Sequence, residues 1–250
     1  MKVHRSGRIG LLAGLPLCLL LVLLLSRESW SCPFCTVSTT LAERIEQSQT
    51  SYVARWIAGR EGDAAAGTPG HTRVQVVSVF KNVAGQLRPG QIVDLAWFIN
   101  GQRDDEFLLF GKKGESEELL WDAPLACSAE LLTYLKNRPP EKLPATERLP
   151  YFLNFLEHPD EAIAVDAYGE FAKVQYSDVA AIREHLPRHQ LREWLTTEPP
   201  VGSGRVARRA FYGMLLGLCG TPADAKAIEP LLFQPGEDFR IGMMASWPGT

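Results

Sequence analysis

The stretch Thr72-Arg-Val-Gln-Val-Val-Ser-Val-Phe-Lys81 sets valines against polar residues in near-strict alternation. Val74, Val76 and then Val79 or Phe80 fall on one face, with Arg73, Gln75 and Ser78 between them. A period of two puts successive side chains on opposite faces of a strand, so this segment predicts a half-buried β-strand. Outward from it the pattern repeats. Ahead of it, Tyr52 to Ala58 is rich in strand formers, and the small residues of Glu61 to Gly70 form a loop. After it, Pro89-Gly90 marks a turn, and Ile92 to Ile99 reads as a strand with Val93, Leu95, Trp97 and Ile99 opposed to Asp94. Asn100-Gly101 carries the chain's strongest hairpin signal. Strands over Glu106–Phe110 and Glu118–Trp121 follow. Four or five antiparallel strands in so short a span predict a small meander or barrel, which closes its own edges.

Beyond the strands the period lengthens to that of a helix. Ser128 caps a helix carrying Leu131, Leu132 and Leu135, and Pro139-Pro140 stops it. A linker over 139–145 then separates a β domain, residues 32–138, from a helical domain, 146–250. Within the latter, Leu149, Phe152, Phe155 and Leu156 form one apolar stripe, and Ile163, Ala167, Tyr168 and Phe171 another. Ser177 caps a third helix, and Leu191, Trp194 and Leu195 mark a fourth. Val206, Ala210, Phe211, Met214, Leu215 and Leu218 run along a fifth, ended by Gly220. Thr221-Pro222 opens a sixth, with Ala225, Ile228 and Leu232 inward, and Phe239–Met244 begins a further one. Short links between such helices predict an antiparallel stack. A short amphipathic helix within Thr36–Gln49 precedes the strands.

The N-terminus predicts the compartment. Lys2, Arg5 and Arg8 lead into Ile9–Leu25, a leucine-rich run without charge, the pattern of a secretory signal or a membrane anchor. Residues 1–31 are therefore the targeting segment. The remainder lies outside the cytoplasm of a bacterial cell envelope, anchored in the inner membrane through residues 9–25, or is secreted into the periplasm or beyond if the segment is cleaved. The first 31 residues carry Lys2, Arg5, Arg8 and Arg27 against Glu28 alone, so 22 basic and 28 acidic residues remain. That balance excludes a nucleic-acid partner, which demands phosphate-neutralising charge.

Four cysteines lie outside the apolar run: Cys32, Cys35, Cys127 and Cys219. Cys32-Pro33-Phe34-Cys35 has the spacing of an exchange-active dithiol, with Cys32 attacking and Cys35 resolving. No strand precedes it, however, and no parallel βαβ scaffold follows. A metal site needs two more ligands. His71, His158, His185 and His189 are scattered, and Pro187 separates the last two. The preferred reading is a structural staple joining Cys32 or Cys35 to Cys127, with Cys219 a buried thiol. Closing roughly 90 residues would stabilise by about 4 kcal/mol. The acidic turn Asp104-Asp105-Glu106 reads as solvated rather than cation-binding, and Asp160, Glu161, Asp166 and Glu170 as the wet face of a helix. Trp97, Trp121 and Trp194 read as core aromatics. Nucleophile-elbow, phosphate-loop, zinc-protease and dinucleotide motifs do not occur. No catalytic residue, cofactor or metal is therefore expected.

Residues 32 to about 136 resemble the netrin-like, or tissue-inhibitor-like, domains, which are OB-type five-stranded barrels. The resemblance rests on Cys32 and Cys35 near the start, the Tyr52–Ala58 strand, the Thr72–Lys81 strand, Gly90, Phe107–Gly111 and Cys127. In that family's inhibitors a free N-terminal cysteine chelates a protease's zinc; carried over to Cys32, this would require cleavage after Ser31. Residues 146 to 233 resemble HEAT-type helical pairs, which imply a protein-binding face. The whole layout is similar to exported proteins of planctomycete bacteria. Together these readings imply an exported structural or protein-interaction protein with a protein partner. The alternative is a membrane-tethered thiol-disulfide oxidoreductase using Cys32 and Cys35.

Overall fold

A computed structural model of the protein describes residues 39–83, 87–114, 119–199 and 204–232. The apolar run Ile9–Leu25, Cys32, Cys35 and the expected helix at Phe239–Met244 lie outside them. Among the described residues no helix is long and apolar enough to cross a membrane. The described residues form one compact unit. It combines an antiparallel sheet of six strands with eight α-helices among the described residues.

The chain begins with α1 (Leu41–Gln47), whose Thr40 cap and Glu43 form a reciprocal capping box. The strands follow: β1 (Thr50–Arg60), β2 (His71–Asn82), β3 (Ile92–Leu95), β4 (Glu106–Lys113), β5 (Leu119–Trp121) and β6 (Leu125–Ala126). The pairing path is β3-β2-β1-β4-β5, and β6 pairs with β4 beside β5. The valine alternation resolves cleanly. Val74 and Val76 oppose Trp56 and Ala54, but Val79, not Ser78, opposes Tyr52. Val77 is the extra residue of a bulge, and it shifts the inward face by one position. Tyr52, Ala54, Val74, Val76, Leu95, Ile99, Phe107 and Leu109 form the resulting core. Val53, Leu108 and Phe110 have the opposite parity and are buried too, so β1 and β4 are covered on both faces.

Asn100-Gly101 does not make the expected hairpin. β3 pairs with β2 and β4 with β1, so the intervening chain crosses from one side of the sheet to the other. The expected strand over Ile92–Ile99 accordingly stops at Leu95. Past it, side chains replace the ladder. The Thr72 hydroxyl donates to the Trp97 carbonyl at 2.9 Å and accepts from the Ile99 amide at 2.8 Å. Trp56 Nε1 donates to the Ile99 carbonyl at 3.0 Å. A Cβ on Gly101 would lie 3.0 Å from the Phe107 ring and 3.2 Å from Trp56, so any side chain there would have to displace those rings.

The helices are α2 (Ala129–Asn137), α3 (Ala145–Leu153), α4 (Glu161–Ala172), α5 (Tyr176–Ala181), α6 (Arg188–Thr196), α7 (Arg205–Cys219) and α8 (Pro222–Leu232), with a single 3-10 turn at Arg183–His185. The apolar stripes read from spacing are the buried faces of α3 and α4, through Leu149, Phe152, Ile163, Ala167 and Phe171, with Leu156 buried in the turn after α3. Two details differ. Ser177 is not a cap, because α5 begins at Tyr176 after Gln175. Val206 is exposed, and Phe211, Tyr212, Leu215 and Leu216 form the inward face of α7 instead. Tyr134 of α2 stacks on Tyr151 of α3, bridging the 139–145 connection.

Candidate functional site

The chemistry of the described chain gathers along α4. Its Asp166 and Glu170 are not the wet face that charge alone suggested: they are 4% and 1% exposed. A buried carboxylate persists only if its oxygens find donors, and each does. Asp166 Oδ1 accepts the Leu41 amide of α1 at 2.5 Å, and Oδ2 accepts the Tyr134 hydroxyl of α2 at 2.7 Å. Glu170, one turn on, faces Arg148 Nη1 at 2.9 Å and Lys173 Nζ at 2.9 Å. Lys173 also reaches Glu141 and the Thr40 hydroxyl. The stripe 166-170-173 thus forms a polar seam binding α1, α2 and α3 to α4. Burial pushes the Asp166 carboxyl above its ordinary range. The bonds from Leu41 and Tyr134 pull the other way, repulsion from Glu170 adds to burial, and Arg138 opposes it. Burial raises the Tyr134 hydroxyl as well, and the charge of Asp166 adds to that.

Asp160 and Glu161 start the same helix with different roles. Asp160 Oδ1 caps α4 through the Ala162 amide, and Oδ2 accepts from Ser128, itself the cap of α2. Glu161 pairs with Arg208 Nη1 at 2.8 Å. Arg208 and Arg205 also converge on Glu157, tying α7 to the α3–α4 turn. Asp224 accepts from Thr221 and faces Arg188 and Arg192, which fastens α8 to α6.

Above the seam lies an open cleft of about 420 Å³, of the size that holds small ligands. α1 contributes Leu41 and Arg44 to its wall, α4 contributes Val165 and Asp166, β4 and β6 contribute Lys112 and Leu125, and Asp122 follows β5. Phe110 and Lys112, two apart on β4, project from the same face. The Arg44 guanidinium sits over the Phe110 ring, its Cζ 3.9 Å from the ring centre. Lys112 Nζ contacts Asp122 Oδ2 at 3.0 Å, whereas Arg44 Nη2 stands 3.7 Å from the same oxygen, beyond hydrogen-bond length. Among the described residues the guanidinium forms no hydrogen bond.

The sequence-derived candidates fall elsewhere. Cys127 is a buried free thiol between β6 and α2, pushed up to about 12 by burial and by the charges of Glu106 and Asp160. Cys219 is a free thiol, half-buried at the end of α7. Cys32 and Cys35 lie outside the described residues. His185 and His189 are exposed, and among the described residues no group of three or more potential metal ligands occurs. In the acidic turn, Asp104 takes a left-handed backbone, φ 73°, Asp105 accepts the Gln102 amide, and Glu106 pairs with Arg55 at 2.8 Å. Trp97 and Trp121 pack against the sheet core, and Trp194 packs on Tyr212. The cleft residues were missed because they come from three distant segments. Asp166 and Glu170 did leave a signal: carboxylates one turn apart within a helix whose remaining interior residues, beyond Glu161 at its start, are almost all apolar. Comparison with family models, curated proteins and solved structures gives no match.

Proposed function

We propose that the chain is an exported structural or protein-interaction protein of the bacterial cell envelope, anchored by residues 9–25. In this reading the sheet is an OB-like barrel of the netrin-like kind, and the helices after it are HEAT-like pairs. The path β3-β2-β1-β4-β5, with a bulged ladder at its centre, supports the barrel; its two ends are the strands such a barrel would bring together. The packing of α3 on α4, and of α6 on α7 and α8, supports the helical pairs.

One observation carries the interaction role. Arg44 sits over an aromatic face at the wall of an open cleft, with a 3.7 Å ion pair to Asp122 but no hydrogen bond from its guanidinium among the described residues. A guanidinium kept in one place without an intramolecular hydrogen-bond partner suits recognition of an outside group. Photo-crosslinking in intact cells tests this. A photoreactive residue in place of Val165, on the cleft rim, is expected to give a discrete protein adduct that the added substitution Arg44→Gln removes. Cross-linking to no protein would refute the role. In this reading Cys127, a free thiol in the described structure, takes a structural disulfide from Cys32 or Cys35, both outside the described residues. Its burial suits a staple rather than exchange chemistry. Non-reducing peptide mapping is expected to recover Cys127 joined to one of the two; recovery of all three as free thiols refutes the staple.

A further inference from the structure

We infer that the cleft between α1, β4 and α4 binds an organic carboxylate with an apolar neighbour, in the form of a partner protein's C-terminus ending in an aliphatic residue. This names the partner chemistry of the interaction reading above and rests on it.

The inference starts from charge. Arg44 and Lys112 share a single carboxylate oxygen, Asp122 Oδ2, at 3.7 and 3.0 Å. The lining's other carboxylate, Asp166, is bonded to Leu41 and Tyr134 rather than to either cation, so the donors of Arg44 stay open to a ligand; with two basic and two acidic side chains in the lining, a monoanion suits it better than a doubly charged phosphate. The planar fork of an arginine matches the two oxygens of a carboxylate. Here that fork is pre-oriented by the Phe110 ring, so little side-chain entropy is lost on binding. Asp166 forms part of the back wall without competing for the cations: it is 4% exposed, and both its oxygens already accept bonds, from Leu41 and Tyr134.

The apolar half of the ligand follows from the rest of the wall. Leu125 is half-buried and Val165 is 38% exposed, facing an open space of about 420 Å³. An aliphatic side chain next to the carboxylate would cover both. A cationic or strongly polar C-terminal residue would leave them wet. A free backbone carboxylate beside an aliphatic side chain is what a chain ending in leucine or valine presents, and its extended backbone can leave through the open side of the cleft.

Calorimetric titration of the full-length protein in detergent, with acetyl-Gly-Gly-Leu as free acid and as C-terminal amide, tests the inference. The acid is expected to bind at least about tenfold more tightly than the amide, the effect of losing one charge-assisted forked contact. Arg44→Gln is expected to reduce acid binding to the level of the amide. Lys112→Gln, on the exposed side of the pair, is expected to weaken it several-fold with an unchanged melting temperature, so a folding defect in the arginine variant would not mask the result. Equal affinity for acid and amide would overturn carboxylate recognition and leave the protein-interaction reading intact. Binding of acetyl-leucine as tight as that of the peptide would support carboxylate recognition while removing the peptide from it. Absence of binding by either peptide at millimolar concentration would overturn the inference.

Discussion

Asp166 is the most consequential single side chain in the described structure, and two substitutions separate its roles. Asp166→Ala strips the acceptor from the Leu41 amide and the Tyr134 hydroxyl, bonded at 2.5 and 2.7 Å. Each donor left buried and unpaired costs about 1–3 kcal/mol, and relief from desolvating a carboxylate offsets part of that. A net loss of about 2–4 kcal/mol near neutral pH is expected, or roughly 5–15 °C in melting temperature for a domain of this size. Asp166→Asn keeps an oxygen for Leu41 and should cost about 1 kcal/mol or less. Burial raises the carboxyl in the folded state above its unfolded value of about 3.9. Between those two values the folded protein holds more protons than the unfolded chain. Stability of the parent protein therefore falls as pH rises through that window and levels off above the raised value. Relative to Asp166→Asn, the parent protein should lose ground from about pH 4 upward. Urea unfolding of both proteins from pH 4 to 8, followed by circular dichroism and tryptophan fluorescence, measures the difference. A difference that is flat, or that favours the parent protein as pH rises, would refute the argument, as would an asparagine variant as unstable as the alanine one.

Three further outcomes follow from the same structure. Arg148→Met leaves buried Glu170 with Lys173 as its remaining cation and should cost about 2–4 kcal/mol; adding Glu170→Leu should recover part of that loss in a double-mutant cycle. Gly70→Ala would place a Cβ 2.8 Å from the Phe98 backbone nitrogen and should destabilise by about 1–3 kcal/mol, read as a lower urea midpoint. After mild reduction, Cys127 should resist iodoacetamide at pH 8 in the native protein and react once denatured. A thiol pushed up to about 12 is thiolate in only about one molecule in ten thousand at that pH, and fast native labelling would contradict its burial.

Local regularity made the elements legible in the sequence; contacts between distant segments decided what the elements do. The β2 alternation was readable because burial imposes a period of two, and the ambiguity between Val79 and Phe80 marked the bulge at Val77. The helical stripes were readable for the same reason, with a longer period. Asn100-Gly101 misled because a turn signal reports local backbone freedom, whereas strand pairing was settled by Thr72, Trp56 and Ile99, residues far apart in sequence. Asp166 and Glu170 misled because four acids on one helix ordinarily face water. Their burial depends on donors from α1, α2 and α3, and α4 itself encodes none of these except Lys173 just past its end. The cleft was illegible for a related reason: Arg44, Lys112 and Asp122 are unremarkable surface charges until the sheet and α1 bring them together.

The seam and the cleft are one device seen from two sides. Asp166 grips the first amide of α1, and Thr40 caps that helix beside Lys173, so the rotation and height of α1 are fixed from α4. Arg44 is three residues along α1, on the same side as Leu41 and less than one turn away. Its seating on Phe110 therefore inherits its position from a carboxylate it does not touch. The expense of burying Asp166 is consistent with that arrangement. A hydrophobic contact could hold α1 against α4 equally well, but it would not specify which amide is held. A bond to a single N–H sets the register of a seven-residue helix too short to be stable alone, and with it the direction in which its arginine points.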